Sequence, residues 1–273
     1  MEAALLITTT LCYLCGTIGY LIYLFKEEDP VHRAAWGFLL LGATVHVFAI
    51  MARSVRQGHL AVSDSAEALS FFALILVSTY LFAQIRFGIR ILGSFVAPIA
   101  VLFMLGSSLL PADMMPKTGV IKSAWVALHV TLLFSANALF ALAFSAGIMY
   151  LLQERHIKKK SFGRLYLRLP SLEMLDRINY VCIVIGFPLM TLGLVSGFAY
   201  AGAVWASLWS WDPKEVSAVI TWVIYAVLLH ERLAVGWRGR RAAWLAIVGF
   251  SAVLVTFLGV NLFMEGHHAA FVR

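Results

Sequence analysis

Trp205, Trp209 and Trp211 stand within seven positions in the stretch WASLWSWDPKE, with Asp212, Pro213, Lys214 and Glu215 directly behind them. Indole faces suit a large flat ligand with apolar rings and polar edges. Tryptophan is also enriched where membranes meet water, which accounts for one or two of the three. It does not account for three in one short loop, with Trp222 a few turns further on. Histidines supply the second half of the chemistry. His129 (AWVALHV) opens one apolar run, and His267 and His268 (MEGHHAA) follow another. Neutral imidazole is a good ligand for heme iron, and two imidazoles make a six-coordinate centre. His129 with either His267 or His268 can therefore hold an iron over the tryptophan loop. Two unrelated interfacial histidines would show the same spacing.

Two further histidines lie in apolar surroundings. His230 ends a run (YAVLLHER) and His46 sits inside another (LGATVHVFA). An ionisable residue at membrane depth is by default a functional-site hypothesis. The run between Glu215 and His230 has about 15 residues, roughly 20 Å of helix rise, and His46 lies at a different depth. These two therefore do not share one iron, and a metal at His230 takes its partner from another chain. His32 and His156 fall in polar connections and read as solvated.

The elements that must carry these residues follow from composition. Of 273 residues, 62% are hydrophobic and 13% charged, well above the apolar share of soluble domains. Apolar runs of about 20 residues cross a bilayer as helices, which satisfy their own backbone in hydrocarbon. Eight such runs are expected, at roughly 3–25, 34–52, 66–84, 91–110, 125–152, 178–202, 215–230 and 243–263. The fold class is an all-α polytopic membrane bundle of about eight transmembrane helices, read as a single membrane domain over 1–273. The tryptophan loop, 203–215, lies within it. The start MEAALLITTT has no positive n-region and no small-residue cleavage site, so it reads as a retained first span.

Fifteen of the 21 Lys and Arg fall in the connections 26–33, 85–90, 153–177 and 231–241. That bias places these connections in the cytoplasm. Both termini and the tryptophan loop then face outward, periplasmic in a bacterium. The net charge of +7 is spread over loops between spans, which excludes a nucleic-acid footprint. The longest polar stretch, ERHIKKKSFGRLYLR, reads as a basic amphipathic piece lying on the anionic inner surface.

Several features have ordinary structural readings. Cys12 and Cys15 form C-x-x-C without a following His, so this is no heme-attachment motif; like Cys182, they read as apolar filler. Asp212 can cap the next helix, with Pro213 at its first position and Glu215 at its third. Ser63 or Asp64 can cap the third span, with Glu67 in its first turn. Gly193 and Gly197 give a G-x-x-x-G face for close packing. No P-loop, G-x-S-x-G or H-E-x-x-H occurs.

WASLWSWDPKEVSAVITWVIYAVLLHER resembles the tryptophan-rich WWD segment of the heme-handling proteins of cytochrome c assembly, the CcsA (ResC) family in particular. IGFPLMTLGLVSGFAYA before it, GWRGRRAAWLAIVGF and TFLGVNL after it, ALHVTLLF around His129 and GHLAVSDSAEAL around His59 also match in outline. The resemblance covers most of the chain, most strongly from about 125 to 268. It implies external heme ligation by His129 and His268, with His267 at the position usually held by leucine. It implies heme contact through Trp205, Trp209, Trp211 and Asp212, with Trp222 beside them. It implies that His230 is an intramembrane ligand whose counterpart lies in a CcsB (ResB)-like membrane protein. The second external loop departs from the family: Ala61, Asp64 and Ala66 stand where Pro and an Asn-x-Tyr run are common, with Glu67 retained. Asn137 stands where an aromatic is common.

The function implied is that of a heme-handling subunit of a holocytochrome c synthase (heme lyase) in the bacterial inner membrane. It would present heme b, as substrate and ligand, to the CxxCH thiols of apocytochrome c, kept reduced by an upstream thiol-reducing protein. Two other readings stand beside it. One is a HemX-like membrane regulator of heme biosynthesis. The other is a b-type electron-transfer protein, which needs paired histidines on facing spans at matched depth.

Overall fold

The structure, a computed structural model, describes residues 2–26, 28–62, 64–110, 124–160, 163–205, 209, 211 and 213–255; the side chains of 164, 203–205 and 214 are not described. Asp212, His267, His268 and the last part of the expected eighth span lie outside the described residues. The helices are α1 (Glu2–Lys26), α2 (Asp29–Gln57), α3 (Ser65–Phe87), α4 (Gly93–Leu109, entered through a 3-10 turn at Arg90–Leu92), α5 (Ala124–Lys158), α6 (Arg164–Arg168), α7 (Leu172–Trp205), α8 (Pro213–Leu233) and α9 (Arg240–Leu254). No strand occurs among the described residues. Among the described residues, seven helices are long and apolar enough to cross a membrane: α1, α2, α3, α4 with its 3-10 turn, α5, α7 and α8. The chain is thus an all-helical polytopic membrane protein. The described part of the eighth run, α9, has 15 residues.

Helix ends fall where local chemistry sets them. Asp64 caps α3, its Oδ1 accepting from the Glu67 amide at 2.7 Å, which satisfies one of the amides that a helix start leaves open. Helix α8 starts at Pro213, whose missing N–H costs nothing at a first helical position. Helix α7 runs past both expected boundaries, from Leu172 to Trp205 rather than over 178–202. Its early start is held by Ser171, whose Oγ accepts from the Met174 amide at 3.3 Å, and by burial of Leu175 and Ile178. The basic stretch expected on the membrane surface is partly helix. Helix α5 continues to Lys158, and α6 ends in Arg168, which donates to the carbonyls of Tyr23 and Leu24 at 3.0 and 3.2 Å.

The chain divides into two compact units, Met1–Ala112 with Ile148–Leu175, and Asp113–Gly147 with Asp176–Arg273. In the first, charged groups pair at opposite ends of the helices. At one end Arg53 of α2 bridges Glu2 of α1 at 2.9 Å and Glu67 of α3 at 2.6 Å. Arg56 also pairs with Glu2, and Gln57 donates to Glu67 at 2.7 Å. At the other end Arg90 pairs with Asp29 at 2.6 Å. There Gln84 accepts from Tyr20 at 2.8 Å and from Tyr80 at 2.5 Å, and it lies 2.9 Å from His32 Nε2. His32, expected to be solvated, is buried against Tyr20 and Tyr23.

The Arg53 cluster gives a stability prediction. The Glu67 side chain is 2% exposed, so Arg53→Met leaves a buried carboxylate without its main counter-charge. Removing one partner of a buried pair costs about 3–5 kcal/mol, and the partial exposure of Arg53 puts the loss near the lower end. Thermal unfolding in detergent should show a clearly lowered midpoint, and the double variant with Glu67→Gln should recover part of it. An unchanged midpoint in the single variant would contradict this account.

In the second unit, Phe140 of α5 stacks on Tyr225 of α8, with ring centroids 3.5 Å apart and planes at 9°. Asn179 of α7 donates to the Ala143 carbonyl at 3.2 Å. Asp176 binds Arg232 through both carboxylate oxygens at 2.6 and 3.0 Å, and its Oδ1 also accepts from the Gly239 amide at 2.7 Å. One carboxylate thus joins the start of α7, the end of α8 and the approach to α9. Bidentate geometry makes this the strong form of such a pair.

Candidate functional site

The site is built around α7 in the second unit. His129 lies in the second turn of α5, and its Nδ1 stands 2.7 Å from the Gly193 carbonyl of α7. A carbonyl only accepts, so Nδ1 carries the proton. In a neutral imidazole the lone pair is then on Nε2. This is the arrangement in which a ligating histidine is usually held, with the far ring nitrogen donating to a carbonyl. Ser196 Oγ donates to the same carbonyl at 2.7 Å, and Trp125 Nε1 donates to the Ser196 carbonyl at 2.7 Å. The ring rests on Gly197: a Cβ there would meet the imidazole, at 2.9 Å from Nδ1 and 3.3 Å from Nε2. Four residues on, Leu133 fills the corresponding space over Gly193. The G-x-x-x-G face therefore receives a His-x-x-x-Leu pair from α5.

The tryptophans use a different face of α7. Trp222 of α8 donates from Nε1 to Thr191 Oγ1 at 2.9 Å, and its ring lies 5.4 Å from that of Phe187. Trp209 packs 5.9 Å from Phe198, and Trp211 meets Trp209 edge-on at 5.4 Å and 86°. At about 100° per residue, Phe187, Thr191 and Phe198 lie on one face of α7, and Gly193 and Gly197 lie roughly 100–140° round the helix from it. His129 and Trp209 thus share a level along α7 but flank it. Trp211 is 78% exposed and has φ 59°. A bulky residue in the left-handed region costs on the order of 1–3 kcal/mol and is characteristic of ligand-binding loops. Trp205 is the last residue of α7 rather than part of a free loop.

Between them these observations and one comparison fix the family. The profile of the cytochrome c assembly proteins matches residues 62–268. The chain belongs to the cytochrome c assembly protein family. The cytochrome c biogenesis protein CcsA of Guillardia theta is 31% identical, over 96% of this chain and 93% of its own. CcsA of Synechococcus elongatus is 29% identical, over 97% of this chain and 94% of its own. CcsA of Chlamydomonas reinhardtii is 35% identical over 82% of this chain, which spans 64% of that longer protein. Among solved structures, the cytochrome c heme lyase CcmF superposes on the whole chain with a TM-score of 0.70 at 14% identity, and the chain spans half its length. That likeness concerns the fold. Family membership gives this assembly protein a role in cytochrome c biogenesis.

The other histidine of the second unit lies elsewhere. His230 is exposed in the last turn of α8, and among the described residues its ring has no hydrogen-bond partner. Two residues on, Arg232 is clamped to Asp176. From Asp176 to Gly193 is roughly 25 Å of helix rise, so His230 and His129 serve opposite ends of the unit and no common ligand. In the first unit, His46 is fully buried, between Tyr13 OH at 3.3 Å and Ser70 Oγ at 2.8 Å. His59 Nδ1 lies 2.9 Å from the Leu60 carbonyl. Among the described residues, no three His, Cys, Asp or Glu are grouped to hold a metal ion.

Sequence reasoning missed the groups that hold the ligand candidates. Thr191 and Phe187 orient Trp222, and Asp176 fixes the end of α8 that carries His230. Neither has a motif. The spacing of Gly193 and Gly197 by itself points to packing and not to a seat for histidine. The available signal was that His129 and Leu133 repeat the same four-residue spacing.

Proposed function

We propose that this assembly protein presents heme, as heme b, at the outer face of the bacterial inner membrane, for attachment to an apocytochrome c CxxCH segment. Both termini lie outside in this reading, and the basic connections lie in the cytoplasm. His129 and His268 are the external iron ligands. Trp205, Trp209, Trp211 and Asp212 line the ring's resting place across the end of α7, with Trp222 below. His230 binds heme at the other end of the span, together with a histidine from a CcsB (ResB)-like partner. Its exposure on α8, with no hydrogen-bond partner among the described residues, supports an intermolecular site.

The observation that carries the reading is the setting of His129. Its Nδ1 proton goes to the Gly193 carbonyl, which directs the lone pair to Nε2, and a glycine floor keeps the ring in place. That setting is the one in which ligating histidines are usually held, and it supports this reading over one of contact alone. The reaction adds each cysteine S–H across a heme vinyl group: a C–S bond forms, the vinyl π bond is lost, and the thiol proton ends on the other vinyl carbon. No oxidant is consumed, so the protein acts by holding vinyl and thiol within reach. Thiols arrive reduced from an upstream thiol-reducing protein.

The test is an absorption spectrum of the protein purified alone and with a CcsB-like partner, with cytochrome c maturation measured in the same cells. A b-type spectrum that His268→Ala shifts, and that His230→Ala weakens only when the partner is present, is expected. Absence of heme from both preparations, with both variants still maturing cytochrome c, would overturn the proposal in favour of the regulatory reading.

A further inference from the structure

A second site lies in the first unit, at the end that carries the 3-10 turn. A cavity of about 360 Å³ opens there between the end of α1, the α3–α4 connection and the segment joining α6 to α7. Its apolar lining includes Tyr23, Phe87, Ile89 and Met174, and two arginines, Arg90 and Arg168, complete it. Both guanidinium groups are anchored. Arg168 is held by the last carbonyls of α1, at 3.0 and 3.2 Å, and Arg90 by Asp29 at 2.6 Å. Asp29, largely exposed, pairs with Arg90. The lining itself carries these two cations and no carboxylate.

This level of the fold is a membrane boundary. Four helices long and apolar enough to cross a membrane end or begin beside the cavity, and Lys26, Arg86, Glu28 and Glu173 are exposed close by in sequence. The last turns of α1 and α3 also present Leu21, Phe25, Phe82 and Ile85 as exposed apolar side chains. Charge above and hydrocarbon below is the pattern of a lipid bound by its headgroup. Basic pockets between membrane helices take phosphate headgroups, and the guanidinium fork matches phosphate oxygens.

We infer that Arg90 and Arg168 bind the phosphoryl headgroup of an acidic phospholipid in this cavity, with the acyl chains running down the outer faces of α1 and α3. The lipid ties three connections together: α1–α2, α3–α4 and α6–α7. This site is separate from the heme reading and stands whether or not that reading holds.

The test uses the full chain, delipidated in detergent, by native mass spectrometry during titration with phosphatidylglycerol, phosphatidylcholine or inorganic phosphate. Wild type should prefer phosphatidylglycerol by about tenfold, because phosphatidylcholine offers the same phosphate oxygens but brings its choline cation up to the two arginines. Arg90→Gln with Arg168→Gln should abolish the preference. Because Arg168 also caps α1, Met174→Trp is the companion variant: it fills the cavity, keeps both arginines and should abolish the preference too. Equal binding of the two lipids by wild type would overturn the inference, as would an intact preference in Met174→Trp. Displacement of phosphatidylglycerol by inorganic phosphate at equal concentration would overturn the lipid as occupant.

Discussion

His129→Ala is expected to remove external heme retention by about 100-fold or more and to abolish cytochrome c maturation. Loss of a group that merely orients a metal ligand costs 10–100-fold, and loss of the ligand itself costs at least as much. The fold should survive, because His129 is only half-buried and its neighbours Trp125 and Leu133 keep their own contacts with α7. The check is spectroscopic. Protein purified with a CcsB (ResB)-like protein should change from a six-coordinate to a five-coordinate iron spectrum, with unaltered thermal unfolding. Maturation at wild-type levels in a stably folded variant would remove His129 from the site.

Much of this was legible in the sequence, because a membrane imposes few and strong rules. Seven of the eight expected runs are membrane-length helices, and the cap at Asp64 and the start at Pro213 fall where turn chemistry puts them. The misses share a cause. Helix α7 begins at Leu172 because LEMLDR, polar by composition, still buries Leu175 and fixes Asp176 against Arg232. Hydropathy windows detect hydrocarbon and pass over amphipathic turns that continue a span. His32 read as a loop histidine for the same reason: α2 begins at Asp29 and carries it inside.

The candidate ligands were visible as residue types, but their supports were not. Tryptophan and histidine stand out in an apolar chain, and position within a span gives their depth. Which face of which helix receives them is a matter of packing. Only the structure separates the face of α7 that takes His129 from the face that takes Trp209 and Trp222. That separation bears on mechanism, since a ligand touching both must reach roughly 100–140° round α7.

Gly197→Ala is the sharper probe of that geometry. The added methyl meets the imidazole of His129 at Nδ1, Cε1 and Nε2 together, so no small adjustment at one ring edge relieves it. The helix backbone on both sides cannot yield cheaply, because α5 and α7 are each continuous through the contact. The ring must turn, and the 2.7 Å bond to the Gly193 carbonyl is lost with it. Since that bond fixes which nitrogen carries the lone pair, heme retention should fall by 10–100-fold, the usual effect of losing a ligand's orienting partner. Gly193→Ala is the control. Its methyl meets Leu133 at Cδ2 and Cγ, with the backbone nitrogen at 3.3 Å, and touches no atom of the imidazole, so it should cost packing stability of about 1–3 kcal/mol and change the iron spectrum less than Gly197→Ala does. If both variants lower stability alike and neither alters the spectrum, the two glycines serve packing only. A spectral change confined to Gly197→Ala assigns that glycine to the positioning of His129, which packing alone does not explain.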